Sequence, residues 1–160
     1  MNLSLPVTKE DSMSLWISRL MYLIDTNIIS ELRKAKSGKA DPKVVHWASQ
    51  LPASEFFISV ITLLELEHGV LLIERKDAKQ GTVLRRWLEE QVKLVFEARI
   101  LPVDEAVAVC CAHLHVPDPK PDRDALIAAT AIVHGMTLVT RNVRDFSAMN
   151  VPVLNPWRER

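Results

Sequence analysis

The sequence predicts an α/β domain built on one parallel sheet of four to five strands, with helices on both faces. Three observations predict it. Short apolar, β-branched runs recur along the chain, and each is followed by a helical pattern instead of a hairpin turn. Strands separated by helices pair in parallel, and a parallel sheet needs cover on both sides. The chain has 160 residues, 48% hydrophobic and 25% charged, which suits a single globular core.

Each element has a local reason. Met21–Asp25 (MYLID) is an apolar strand stopped by the polar Asp25, Thr26 and Asn27, and Ile28–Lys34 is helical. Lys36–Ala40 is a loop. Asp41-Pro42 opens a helix as an acidic cap followed by proline at the first helical position. Phe56–Ile61 (FFISVI) is aromatic and β-branched, hence a strand. Thr62 opens a helix to about Glu74, and Lys79–Glu97 is a second helix whose start Gly81 blurs. Both helices carry more apolar side chains than one small sheet needs; Leu63, Leu64, Leu66, Val70, Leu71, Leu72 and Ile73 nearly surround the first.

Arg99–Val103 is a short strand, and Asp104 caps a helix to about His115. The prolines of Val116–Pro121 stiffen a loop. Asp122–Val133 is helical and ends at His134-Gly135, where glycine accepts a left-handed backbone. Met136–Thr140 is a strand, and Val151–Leu154 is an edge strand limited by Pro152. Residues 1–20 lack the features of a secretory signal. We read them as an N-terminal extension, with Met21 as the expected functional start and residues 21–157 as the domain.

Composition excludes several classes. Lys+Arg and Asp+Glu balance at 20 each, so nothing draws the whole molecule to nucleic acid or membrane, although a local basic patch remains open. No apolar run approaches the ~20 residues needed to cross a bilayer. The adjacent Cys110 and Cys111 lack disulfide and zinc spacing and read as small buried hydrophobes, in keeping with a cytoplasmic protein.

Open parallel sheets bind ligands at the carboxyl ends of their strands. Asp25 ends the first strand, Glu65 lies one turn into the helix after the second, Asp124 begins the helix before the fourth, and Arg141, Asn142 and Asp145 follow that fourth strand. Clustered carboxylates repel unless a cation sits among them. All-oxygen ligands suit Mg²⁺ or Mn²⁺, a combination used to hydrolyse phosphodiesters. Each acid also has a structural reading. Asp25 is a helix cap, Glu65 completes a Thr62-x-x-Glu65 capping box, Asp122 and Asp124 answer a helix dipole, and Asp145 is a turn residue. Arg33, Lys34, Lys36 and Lys39 form a basic cluster that is either a solvated face or a path for RNA; Arg141 is better placed to meet a phosphate.

The segments LIDTNIISEL (Leu23–Leu32), ISVITLLELEHGV (Ile58–Val70), RILPVDEAVA (Arg99–Ala108), DALIAATAIVHGMTLVTRN (Asp124–Asn142) and VLNPW (Val153–Trp157) together resemble PIN-domain ribonucleases, and more closely the VapC-type toxins of toxin–antitoxin pairs. The resemblance implies a PIN-like fold and a Mg²⁺-dependent endoribonuclease that cleaves RNA by metal-activated water. Asp25, Glu65 and Asp124 match its three acids, which decides for Asp124 over Asp122. The place of a fourth acid holds Asn142, with Asp145 one turn on as a substitute. It further implies a cognate antitoxin from an adjacent gene and a homodimer.

Competing readings fit less well. A haloacid-dehalogenase-like phosphatase needs an acid where Asn27 stands, and a dinucleotide site needs a glycine-rich turn after the first strand. A non-catalytic PIN-fold module that binds RNA or protein is the alternative, separable by whether Asp25→Asn abolishes a metal-dependent RNase activity.

Overall fold

The computed structural model describes residues 20–158, so the expected N-terminal extension, Leu20 apart, lies outside the described residues. The strands are β1 (Tyr22–Ile24), β2 (Phe56–Ser59), β3 (Ile100–Leu101), β4 (Thr137–Val139) and β5 (Val153–Leu154). They form one sheet in the order β3-β2-β1-β4-β5, every pairing parallel. The helices are α1 (Thr26–Leu32), α2 (Pro42–Ser49), α3 (Val60–Lys76), α4 (Ala78–Trp87), α5 (Glu105–Leu114), α6 (Asp122–Val133) and the short α7 (Val143–Phe146).

Both faces of the sheet are covered, and the strands show it by period-two alternation. Tyr22 and Ile24 of β1 join Val139 of β4 in a core with Ile28 and Ile29 of α1 and Leu66 and Val70 of α3. Leu23 and Leu138 point the other way, to Ile127, Ala128 and Ala131 of α6 and Phe146 of α7. Trp47 of α2 closes the first face, meeting Tyr22 edge-on at 5.6 Å and Phe56 at 5.5 Å between ring centroids. Ala125 and Ala129 of α6 pack with Val107 and Cys111 of α5. Cys111 is therefore buried as expected, and Cys110 is half-buried.

The chain departs from the sequence reading where a cap overrides propensity. β2 stops at Ser59, two residues before the end of the β-branched run. The Ser59 hydroxyl accepts from the N–H of Ile61 at 3.0 Å, satisfying one of the open donors of a helix start. Val60 and Ile61 enter α3 as a result. Thr62 therefore does not open this helix and the expected capping box with Glu65 does not form; Thr62 is fully buried, its hydroxyl without a partner among the described residues. The expected loop after β4 contains α7, anchored by buried Phe146. The predicted helix Lys79–Glu97 is α4, followed by a π-helical turn at Leu88–Val92 and a last turn at Lys93–Val95.

The surplus of apolar residues on α3 is real. Leu66 and Val70 are buried, while Leu64, Leu71 and Leu72 stand about half exposed. Against α4, α3 is held by polar contacts as well. Arg85 donates to both carboxylate oxygens of Glu74, at 2.9 and 3.1 Å, and to Glu67.

Gly81 permits that approach, because a Cβ there would stand 2.5 Å from the Cα of Glu74. Two effects oppose each other in Gly81→Ala. Helix propensity favours alanine by about 1 kcal/mol, while overpacking against a backbone atom costs about 1–3 kcal/mol. We expect the steric cost to win, read as a lower urea midpoint with an unchanged m value. A stabilised variant would show that the two helices separate freely.

Candidate active site

The strand order reverses beside β1. From β1 the chain runs outward through β2 to β3, then returns to place β4 on the other flank of β1. The crevice at the carboxyl ends of β1 and β4 is thus the switch point where such sheets take ligands. Asp25 follows β1 there, and Thr140 follows β4.

Asp25 is only 7% exposed, and it accepts from three donors. Its Oδ1 accepts from the Thr26 N–H at 2.8 Å, capping α1. Its Oδ2 accepts from the Thr140 hydroxyl at 2.7 Å and from the Asn27 side-chain amide at 3.1 Å. The structural and functional readings of Asp25 therefore coexist, since one oxygen caps the helix and the other faces the crevice. Burial pushes its pKa above the ordinary value, the three donors pull it back, and the negative charge of Asp145 pushes it up again.

Glu65 projects from the second turn of α3. The Thr26 hydroxyl donates to its Oε1 at 2.9 Å, across 39 residues. With the capping box absent, this bond is what fixes it. Asp124 lies half-buried in the first turn of α6. Its pKa is raised by burial, then by Asp145, Asp25 and Glu65 in that order. Asp122, by contrast, has a side chain 94% exposed and faces His115 at 3.7 Å. Neither acid caps α6 through its side chain.

Asn142 and Asp145 divide the expected fourth position. The Asn142 N–H donates to the Thr140 hydroxyl at 3.1 Å, so this residue braces the crevice without adding charge. Asp145, exposed on α7, is the residue whose charge both Asp25 and Asp124 feel. Arg141 is exposed between them, its N–H donating to Asn27 Oδ1 at 3.1 Å. The basic cluster sits elsewhere: Arg33, Lys34, Lys36 and Lys39 line a groove with Thr82, Arg86 and Trp87.

Sequence reasoning assigned no role to Thr26, Asn27 or Thr140, whose hydroxyls and amide order the acids. The first two were signalled by their place directly after Asp25. Thr140, 115 residues away, carried no local signal.

The donor set is all oxygen and dense in negative charge, as hard divalent cations require. Among the described residues no three acidic, histidine or cysteine side chains form a ready-made ligand cage. Burial raises the pKa of both Asp25 and Asp124, nearby acids raise them further, and a cation would draw the acids inward.

The chain is similar to known proteins along most of its length. The PIN domain family model matches residues 22–151. The chain is 36% identical over 144 residues to Toxin FitB of Neisseria gonorrhoeae, covering 87% of this chain and 100% of that one. It is 32% identical over 142 residues to VapC ribonuclease Y4jK of Sinorhizobium fredii, covering 86% and 98%. The structure of FitAB bound to an IR36 DNA fragment superposes with a TM-score of 0.79 at 35% identity, covering 88% of this chain and 98% of that one.

The raised carboxyl groups set a pH dependence. A carboxyl whose folded pKa exceeds its unfolded one favours the folded state when protonated, and that contribution is lost as pH rises through the raised value. Asp25 and Asp124 both burden the metal-free chain at neutral pH on this ground. Asp25→Asn and Asp124→Asn should melt higher by a few degrees at pH 7 in chelator, each ~1 kcal/mol appearing as about 2–4 °C. The gap to wild type should close as pH falls through the raised pKa values toward the ordinary 3.8. A difference that does not vary with pH would contradict this origin.

Proposed function

The chain belongs to the PIN-domain family, and on that premise we propose that it is a VapC-type toxin: a Mg²⁺-dependent endoribonuclease held in check by a cognate antitoxin. The observation that carries the reading is the convergence of Asp25, Glu65 and Asp124 on the crevice between β1 and β4, with Asp145 raising the pKa of Asp25 and Asp124. Four like charges gathered at a ligand-binding edge are costly unless a cation offsets them. The relatives named as a toxin and as a ribonuclease supply the activity class.

Bound at Asp25, Glu65 and Asp124, Mg²⁺ (or Mn²⁺) would neutralise the scissile phosphate and acidify a water. The protein's own residues do the rest. Thr140, Asn27 and the Thr26 N–H donate to Asp25, oppose the effect of its burial and fix both its oxygens. Thr26 also holds Glu65, so a single residue sets the spacing of two acids. Asp124, raised by burial and then by its acidic neighbours, takes up a proton more readily than a free carboxylate when the cation leaves. The reaction is hydrolysis of an RNA phosphodiester to a 3′-hydroxyl and a 5′-phosphate.

A toxin of this kind requires a neutralising partner. The FitAB assembly, solved on DNA, is a two-component relative at 35% identity and supports one here. The half-exposed Leu64, Leu71 and Leu72 of α3 offer apolar surface for that antitoxin, and we extend the proposal to a homodimer through other surfaces. No helix among the described residues is long and apolar enough to cross a membrane. A cytoplasmic location follows from the proposed RNA substrate.

Asp25→Asn, Glu65→Gln and Asp124→Asn should each cut Mg²⁺-dependent RNA cleavage by roughly two orders of magnitude or more, in line with loss of a well-positioned catalytic group. Full activity in Asp25→Asn would sink the nuclease reading. Co-expression with the product of the adjacent gene should yield a complex with suppressed RNase activity, whereas the chain alone should arrest growth.

The two residues at the fourth position separate by metal titration. Asp145→Ala should raise the Mg²⁺ concentration for half-maximal cleavage far more than Asn142→Ala. The reverse ranking would make Asp145 a turn residue and nothing more.

A further inference from the structure

Beside the acids lies a site of opposite charge. Arg141, Arg144 and Arg158, with Asn142, Val143 and Asp145, line a cavity of about 420 Å³, within the range of ligand clefts. Among the described residues none of the three guanidiniums is ion-paired to a carboxylate. Asp145 belongs to both places: it lines this cavity, and its charge reaches Asp25 and Asp124. The two sites therefore adjoin.

One of these arginines is built in. The Arg141 guanidinium lies over the Trp157 ring, 5.3 Å from its centroid, and Trp157 itself packs against the core beneath the sheet. Its backbone is gripped at both ends by asparagines. Its N–H donates to Asn27 Oδ1 at 3.1 Å, and its carbonyl accepts from Asn155 Nδ2 at 3.3 Å. Asn155 also caps the terminal turn by accepting from the Trp157 N–H at 3.0 Å, and its carbonyl accepts from the Arg158 N–H at 3.0 Å. The same Asn27 side chain holds Asp25. A rigid path thus fixes Arg141 relative to the first acid, and the terminal Asn155–Arg158 turn brings Trp157 and Arg158 to it.

We propose that the cavity framed by Arg141, Arg144 and Arg158 is a phosphate subsite that seats an internal RNA backbone phosphate flanking the scissile bond, with Trp157 as the positioning residue for Arg141. The identity of the ligand rests on the nuclease reading above. The chemistry fits. A polyanion approaching four carboxylates needs compensating positive charge close by, and a guanidinium fork matches two phosphate oxygens where an ammonium matches one. Planar stacking on an indole orients the fork and lowers the cost of ordering it. The net charge of zero over the whole chain conceals this local separation.

The test uses the full chain and a short single-stranded RNA in EDTA, with binding followed by anisotropy across a salt series. Arg144→Ala and Arg158→Ala, both exposed positions, should each weaken binding several-fold. Each should flatten the slope of log K against log salt by about 0.7, the value per phosphate contact on a single strand. Trp157→Leu should weaken binding although no charge is removed, and Trp157→Phe should restore it; melting curves of both exclude unfolding as the cause. In Mg²⁺, the loss in Arg144→Ala, Arg158→Ala and Trp157→Leu should fall on KM more than on kcat. Unchanged affinity and salt slope in the Arg144→Ala/Arg158→Ala double variant would overturn the subsite. So would an arginine dependence confined to RNA bearing a 5′-phosphate, which would assign the cavity to a chain end. If the wild type binds RNA through these arginines yet cleaves none with any divalent metal, the nuclease reading fails and the subsite stands.

Discussion

The site is organised around a buried carboxyl group held by donors. Asp25 is 7% exposed, and burial raises its pKa. Three donors from two distant parts of the chain oppose that rise, the shortest bond being from Thr140 at 2.7 Å. The same bonds join the loop after β1 to the loop after β4, on either side of the crevice. Electrostatic necessity and mechanical closure are thus met by one set of contacts. Thr26 carries the arrangement outward to Glu65, and Asn27 carries it to Arg141.

Charge is sorted around that centre. The acids occupy the crevice, and the arginines following β4 and β5 occupy the adjoining cavity. A third group, Glu67, Glu74, Arg85, Glu89 and Lys93, pairs off along α3 and beyond α4 and holds those helices together. Both signs are interleaved within the third group. The first two are dominated by opposite signs and adjoin at Asp145, the arrangement expected where a cation and a polyanion are bound side by side.

The order of strands and helices was legible because apolar runs and caps alternate cleanly. Asp41 and Asp104 cap the helices assigned to them, and Asp122–Val133 is helical over the expected span. The error at Thr62 has a specific cause. Phe56–Ile61 is β-branched or aromatic throughout apart from Ser59, and that serine was read as one more strand residue when it is a helix cap. The π turn at Leu88–Val92 and the four-residue α7 are too short to leave a periodicity. At the site, Asp25 was legible as a candidate because it ends a strand, and Glu65 and Asp124 because they lie in the first two turns of helices beside the sheet. Their partners Thr26 and Thr140, and the stacking of Arg141 on Trp157, were not, since those contacts join positions far apart in the chain, which no spacing rule reaches.

The distance along the chain between Asp25 and Thr140 bears on when the crevice can form during synthesis. They are 115 residues apart. β1 leaves the ribosome before β4, whose following residue Thr140 donates to Asp25. At ordinary synthesis rates, roughly 6–23 s separate the two. During that interval the nascent polypeptide holds neither a closed crevice nor a properly seated first carboxylate. The crevice between β1 and β4 closes only once both have been made, and a chain ending before β4 lacks one of its walls.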